Sequence, residues 1–333
     1  MTTEELIAAR RAEPWREALR KSKKNKERTD IPRVEMNELD AEYRSHTRLE
    51  EVNLGLTKEQ AMQEAQRCLD CPNPTCMQGC PVSINIPTFV KNIERGEFLE
   101  AARVLKETSA LPAVCGRVCP QEKQCESKCI HLKMGKPAVA IGYLERFAAD
   151  YERESGNISI PEVAEKNGIK IAVVGSGPAG LSFAGDMAKR GYDVTVFEAL
   201  HEIGGVLKYG IPEFRLPNKI VDVEIEGLRK MGVKFMTNCI VGKTISYDDL
   251  HADGFKGIFA ASGAGLPNFM NIPGENLVGV MSSNEYLTRV NLIQPIRIAI
   301  RLSCRVRKWL SSVVAIQQWT RSVLLAAWVP NVP

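Results

Sequence analysis

The sequence predicts an α + α/β chain, in which a helical, cysteine-rich part precedes a part built from alternating strands and helices. Three observations carry that reading. Eight of the ten cysteines fall between positions 68 and 129, among short runs with helical apolar spacing. A polar stretch at 152–168 then marks a change of composition. Beyond it, residues 170–198 read KIAVVGSGPAGLSFAGDMAKRGYDVTVFE, the pattern of a strand, a glycine loop, a helix and a second strand.

Taken in order, residues 1–55 form a charged N-terminal arm with a basic cluster at Arg20, Lys21, Lys23, Lys24, Lys26 and Arg28. A solvated, partly disordered arm is expected, with a docking surface for a partner as the alternative. Residues 56–152 are expected to be a helical domain. Thr57 and Gln60 make a capping box ahead of a helix at 61–67. Residues 87–108 read as two short helices, with Pro87 at a start and Gly96 at the break. Their apolar side carries Phe89, Val90, Ile93, Phe98, Ala101, Ala102 and Leu105. A further helix is expected at 138–151, and the domain boundary in a linker at 153–168. Residues 169–292 then supply a loop with Gly204 and Gly205, a helix near 218–231, and strands at 233–237 and 257–262.

The 333 residues, 44% of them hydrophobic, allow two or three domains with real cores. The formal charge is +4, but residues 293–333 carry six Lys or Arg and no Asp or Glu, which leaves residues 1–292 at −2. That gives no general case for nucleic acid. No apolar run reaches transmembrane length and the N-terminus is charged, so no membrane association and a cytoplasmic location are expected. Ten cysteines without an export signal argue for metal ligation over disulfides.

Gly175, Gly177 and Gly180 form GxGxxG directly after the apolar run 171–174, and Glu198 closes the next strand eighteen residues later. Gly175 permits the tight turn and Gly177 lets a pyrophosphate approach the backbone. Gly180 lets the helix, opened by Pro178 and Ala179, pack on the strand. The phosphates would sit at the helix N-terminus, with Glu198 accepting from a ribose hydroxyl. A dinucleotide site is expected here.

Cys68, Cys71, Cys76 and Cys80 are spaced CxxCxxxxCxxxC before Pro81, and Cys115, Cys119, Cys125 and Cys129 form a second group with Pro120 after Cys119. Thiolates this close together chelate a soft metal. A proline after a late cysteine is the habit of ferredoxin loops that exchange ligands between two [4Fe–4S] clusters. Structural zinc is the alternative, but it wants two tidy CxxC pairs, and only Cys68 and Cys71 supply one. Cys239 reads as a small core residue in a strand.

These stretches together resemble the small subunit of NADPH-dependent glutamate synthase. They also resemble the large subunit of NADH-dependent ferredoxin:NADP oxidoreductase and the N-terminal half of dihydropyrimidine dehydrogenase. The resemblance is carried by RCLDCPNPTCMQGCPVSINIPTF, LPAVCGRVCPQEKQCESKC, AIGYLERFAADYE, VVGSGPAGL, GGVLKYGIPEFRLP and GAGLPNFMNIPGEN, within 57–292. It implies an electron-input oxidoreductase subunit. NADPH would give hydride to FAD, and two [4Fe–4S] clusters would pass electrons to a partner, the large glutamate synthase subunit or another flavoprotein. The resemblance implies one cluster on Cys68, Cys71, Cys76 and Cys129. The other would take Cys80, Cys119, Cys125 and either Glu145 or, as the competing candidate, Cys115. Gly175, Gly177, Pro178, Ala179, Gly180, Glu198 and Gly205 would hold FAD rather than the nicotinamide, with no protein acid or base at the hydride step. The rival readings are an electron-bifurcating ferredoxin:NADP oxidoreductase subunit and a non-catalytic iron–sulfur relay fragment.

The resemblance stops near Leu292. Residues 293–333, with Cys304, contain no Gly, Asp or Glu, hold three of the four Trp, and show no period that continues the fold. Back-translated from Arg305 and read one base earlier, with allowed codons, they yield GKKVAVVGGGNTAMDSVRTARRLGAERA, the kind of second glycine loop the family would have next. Residues 293–333 are therefore expected to be an out-of-frame tail. The Rossmann-like FAD-binding domain is then incomplete and the nicotinamide site missing, so the chain would hold clusters, bind FAD poorly and fail to oxidise NADPH. A genuine basic, apolar tail that lies on a membrane or partner is the alternative.

Overall fold

The computed structural model describes residues 3–47, 49–278, 280–293, 309–315 and 322–328. It divides into two compact units. The first comprises Met1–Lys166, Gly185–Gly191 and Phe214–Gly232, and the second Asn167–Ala184, Tyr192–Glu213 and Val233–Pro333. The units part after Lys166, and two later segments count with the first unit.

In the first unit the N-terminal arm departs from expectation. It folds into helices Thr3–Arg11, Pro14–Ser22 and Asn25–Asp30. Its basic cluster is split by burial: Arg28 is 1% exposed, as is Arg16 outside the cluster, whereas Lys21 pairs with Glu17 at the surface. The reason is that buried acids await the guanidinium groups. Arg28 Nη1 lies 2.8 Å from Glu94 Oε1, and Arg16 Nε lies 3.0 Å from Asp70 Oδ2. The arm is docked rather than solvated, because leaving those carboxylates buried and alone would cost several kcal/mol, of order 3–5.

The helix Lys58–Gln66 starts at the expected capping box, with Thr57 Oγ1 accepting from Gln60 N–H at 3.2 Å and Gln60 Oε1 from Thr57 N–H at 2.9 Å. Helices Ile86–Glu94 and Phe98–Lys106 bury Phe89, Val90, Ile93, Ala101 and Leu105 completely. Ile141–Ser155 packs on them, with Phe98 edge-on to Phe147 at 5.0 Å, and ends where Gly156 takes φ +73°. The same helix packs on Pro112–Val118 with almost no space between them. A Cβ at Gly116 would lie 2.5 Å from Arg146 N.

The second unit carries a four-stranded parallel sheet in the order Lys234–Met236, Asp193–Phe197, Lys170–Val174, Phe255–Ala260. Numbered along the chain this is 3-2-1-4, the order of a doubly wound nucleotide fold, with the crevice beyond the strand ends beside strand 1. The two central strands bury most, with Ala172, Val173, Val194, Val196 and Phe197 inside, and the apolar run at 171–174 is what a strand covered on both faces requires. The strand expected at 233–237 is shorter, so Cys239 lies past its end. Cys239 is half-buried and packs beside Ala172, Phe197, Leu250 and Phe255. Beyond residue 292, where no continuing period was expected, Trp309–Ala315 and Ser322–Trp328 pair antiparallel, and the latter pairs with Met281–Ser282. Cys304 lies outside the described residues. Among them no helix is long and apolar enough to cross a membrane.

Candidate functional site

Cys68, Cys71, Cys76 and Cys129 line one cavity, walled otherwise by apolar groups such as Ile86, Val90, Val139 and Ile141. Burial pushes the Cys68 thiol up to about 11, against the pull of the Lys91 ammonium. Burial also raises Cys76, and the neighbouring Cys68, Cys129 and Cys71 raise it further. These thiols ring the cavity. Among the described residues no three Cys, His, Asp or Glu side chains converge on a single ion position.

The loop between Cys68 and Cys71 is held from behind. Asp70 is fully buried at φ +52°, a conformation that short polar residues tolerate. Arg16 grips its carboxylate, Arg20 Nη1 reaches Oδ2 at 2.7 Å, and Arg11 Nε donates to its carbonyl at 2.9 Å. Lys91 Nζ donates to the Cys68 carbonyl at 2.6 Å and pairs with Glu94. His131, also buried, shares a 3.0 Å contact between Nε2 and the Arg67 carbonyl, and its Nδ1 has no partner.

A second group gathers around Glu145, on the helix Ile141–Ser155. Glu145 is 5% exposed, and its Oε1 has no hydrogen-bond partner. Burial pushes its carboxyl well above the usual carboxylate range, and the nearby Cys119 adds to this. Burial likewise raises Cys80 and Cys125, each of which also feels the Glu145 charge. Cys119 N–H donates to the Cys115 carbonyl at 3.1 Å, and the Cys119 side chain, burial and the nearby Glu145 push the Cys115 thiol up. Both candidates for the fourth position are thus at hand. The contact at Gly116 sets this proximity by bringing the helix of Glu145 against that of Cys115. Arg117 and Arg146 brace it through Glu51 and Asp150, with Arg117 Nε 2.7 Å from Glu51 Oε1. Glu224, far along the sequence, accepts from Ala113 N–H at 2.7 Å, and burial raises it to about 7.

The glycine loop in the second unit has the geometry that its sequence implies. Gly175 takes φ +103°, and a Cβ there would lie 2.3 Å from the Ala261 carbonyl oxygen. A Cβ at Gly180 would lie 2.0 Å from the Gly175 oxygen, while one at Gly177 would meet open space. Pro178 and Ala179 open the helix Pro178–Lys189. Gly205, at φ +56°, covers the loop, since its Cβ would come within 2.7 Å of Gly177 Cα. Glu198 sits at the strand end as expected but already has partners. Its Oε2 accepts from Ser176 N–H at 2.9 Å and Ser176 Oγ at 2.5 Å, and its Oε1 from Leu200 N–H at 3.0 Å. Ser176 Oγ also accepts from Gly204 N–H at 3.0 Å, which ties the two glycine motifs together.

Ser176, Asp70, Arg11, Arg16 and Glu224 escape the sequence reading, and Arg20 enters it only as a member of the basic cluster. Only the two that lie inside motifs, Ser176 in GSG and Asp70 in CLDC, carry a local signal. The others show themselves through contacts far along the chain.

Residues 44–157 match the family described as dihydropyrimidine dehydrogenase domain II, 4Fe-4S cluster, and residues 173–231 match the NAD(P)-binding Rossmann-like domain. The NAD-dependent dihydropyrimidine dehydrogenase subunit PreT of Escherichia coli (strain K12) is 39% identical over 224 residues, covering 66% of this chain and 54% of the relative. The glutamate synthase [NADPH] small chain of the same organism is 37% identical over 229 residues, covering 68% and 48%. That of Azospirillum brasilense is 32% identical over 243 residues, covering 73% and 50%. The chain spans about half the length of the curated relatives it matches.

Proposed function

We propose that this chain, which belongs to the oxidoreductase family of the glutamate synthase small chains and PreT subunits, is an electron-input subunit that feeds a partner subunit. Cys68, Cys71, Cys76 and Cys129 would hold one [4Fe–4S] cluster, and Cys80, Cys119, Cys125 and Glu145 the other. In the complete path bound FAD would accept hydride from a nicotinamide and the clusters would carry single electrons onward. If residues 293–333 are out of frame, this chain supplies only the clusters and the first part of the flavin site. The chain's own residues do the rest. The open backbone at Gly177 and the helix behind Pro178 and Ala179 would receive the flavin pyrophosphate, Gly205 would cover it, and apolar walls would keep water from the thiolates.

One observation carries the reading. Cys129, from the second motif, shares a cavity with Cys68, Cys71 and Cys76, while Cys80, from the first, faces Glu145 as do Cys119 and Cys125. Exchange of one ligand between motifs is the habit of two-cluster ferredoxin domains. Thiols around a cavity suit the corners of a cubane, whereas zinc gathers all its thiolates within about 2.3 Å of one point. The orphaned Glu145 oxygen fits a donor awaiting a metal. Anaerobic reconstitution tests this. Iron and sulfide in two-cluster amounts are expected, with Cys129→Ala and Cys80→Ala each removing a different half of the iron. Zinc in place of iron, or one shared loss, would overturn the reading.

The partner is proposed to be an amidotransferase of the glutamate synthase type. The higher identity to PreT favours a second reading, a pyrimidine-reducing partner. Electron transfer to each purified partner distinguishes the two. The out-of-frame reading of residues 293–333 is kept as a separate proposal, and the gene decides it. A single-base change near codon 292 that opens a longer frame supports it, and the absence of any such change sinks it.

A further inference from the structure

We propose that the N-terminal arm sets the reduction potential of the cluster at Cys68, Cys71, Cys76 and Cys129. Arg16 and Arg20 cancel the Asp70 carboxylate, and with Arg11 and Lys91 they leave surplus positive charge behind the Cys68–Cys71 loop. This rests on the two-cluster reading above. Arg16 and Arg20 both bind one carboxylate, that of Asp70, Arg11 binds its carbonyl, and Lys91 bonds the Cys68 carbonyl while sharing Glu94 with Arg28. Three cations thus gather on Asp70 and two on Glu94, five against two carboxylates. Anchoring the arm would need no more cations than anions. Surplus charge is costly to bury unless an anion compensates it, and Arg16, Arg28 and Lys91 are all buried. The thiol-lined cavity is where such an anion would sit.

The consequence follows from charge alone. Uptake of an electron makes a thiolate-bound cluster one unit more negative, so a neighbouring cation favours the reduced form and a neighbouring anion the oxidised form. Salt screens such buried charges weakly. The arm therefore makes this cluster easier to reduce than its thiolates alone would.

The test is a redox titration of the full reconstituted chain, followed by electron paramagnetic resonance, with the second cluster as internal reference. Arg20→Gln is the mild probe, because that side chain is 20% exposed. It should move the first cluster to more negative potential, by about tenfold in the reduction equilibrium, or about 59 mV for one electron. Asp70→Asn keeps the left-handed turn and should move it the opposite way, while Arg16→Lys, which retains charge, should stay near the unaltered chain. The second cluster should not move. Opposite shifts at full iron content support the proposal, since loosened packing would push both variants in one direction. Shifts of the same sign, no shift, or loss of iron from Arg20→Gln and Asp70→Asn alike would assign the arm a purely structural role and overturn it. If the unaltered chain takes up no cluster at all, the functional reading itself falls, and this inference with it.

Discussion

Glu145 is the residue on which the second thiol group turns. Its Oε1 is buried without a partner, an arrangement that costs about 1–3 kcal/mol unless something else satisfies the atom. If that something is iron, Glu145→Ala should remove the iron of one cluster and Cys115→Ser should leave it. Iron analysis of both variants checks this, and the reverse pattern would make Cys115 the ligand. Glu224 gives a pH signature. Its folded value of about 7 lies above the ordinary 4.5, because burial disfavours the charged form. An acid raised on folding contributes stability that is fully present below its unfolded pKa and lost as pH rises through the folded one. Between pH 4.5 and about 7 the chain should therefore lose up to roughly 3 kcal/mol. Glu224→Gln, whose amide oxygen can still accept from Ala113 N–H, should flatten that slope in denaturant titrations.

Among the elements, the pair Pro112–Val118 and Ile141–Ser155 brings Glu145 to the thiols. Its closest approach is Gly116 against the Arg146 backbone, where an added Cβ would meet N at 2.5 Å and Cα at 2.6 Å. Backbone atoms cannot rotate aside as a flexible side chain would, so Gly116→Ala must part the helices. We expect a loss of about 1–3 kcal/mol, seen as a lower midpoint of thermal unfolding, together with weaker iron retention at the second group. An unchanged midpoint would mean that the helices are not held this tightly. The glycine loop works by the same logic with a different result, because Gly175 and Gly180 are closed by backbone and Gly177 is open.

For the whole molecule, the first unit buries thiol-lined space inside its core, since Cys125 and Cys129 are buried among Ile84, Ile86 and Val139. Metal affinity is then folding free energy. Stripping iron with a chelator should lower the unfolding temperature of this unit, read by calorimetry, while leaving the sheet-bearing unit unmoved. Much of the architecture is legible along the chain. The Thr57 capping box and the helices around Gly96 follow from interactions between near neighbours, and the GxGxxG turn and the strands are marked by local residue patterns even though their pairing is long-range. The edges are less so: the strand stops short of Cys239 because pairing ends there, and no propensity marks that point. The sharing of a cavity by Cys129 with Cys68, Cys71 and Cys76 follows from the family resemblance and not from spacing, which leaves the pairing of two four-cysteine groups open. By itself the sequence determined the local conformations and the residue types available for chemistry. Only the tertiary structure decided that Arg16 and Arg28 turn inward, that Glu224 reaches Ala113, and that Ser176 occupies Glu198. Each of these joins residues at least 22 positions apart, and such contacts form only when packing, rather than local chain geometry, offsets the entropy of closing the loop.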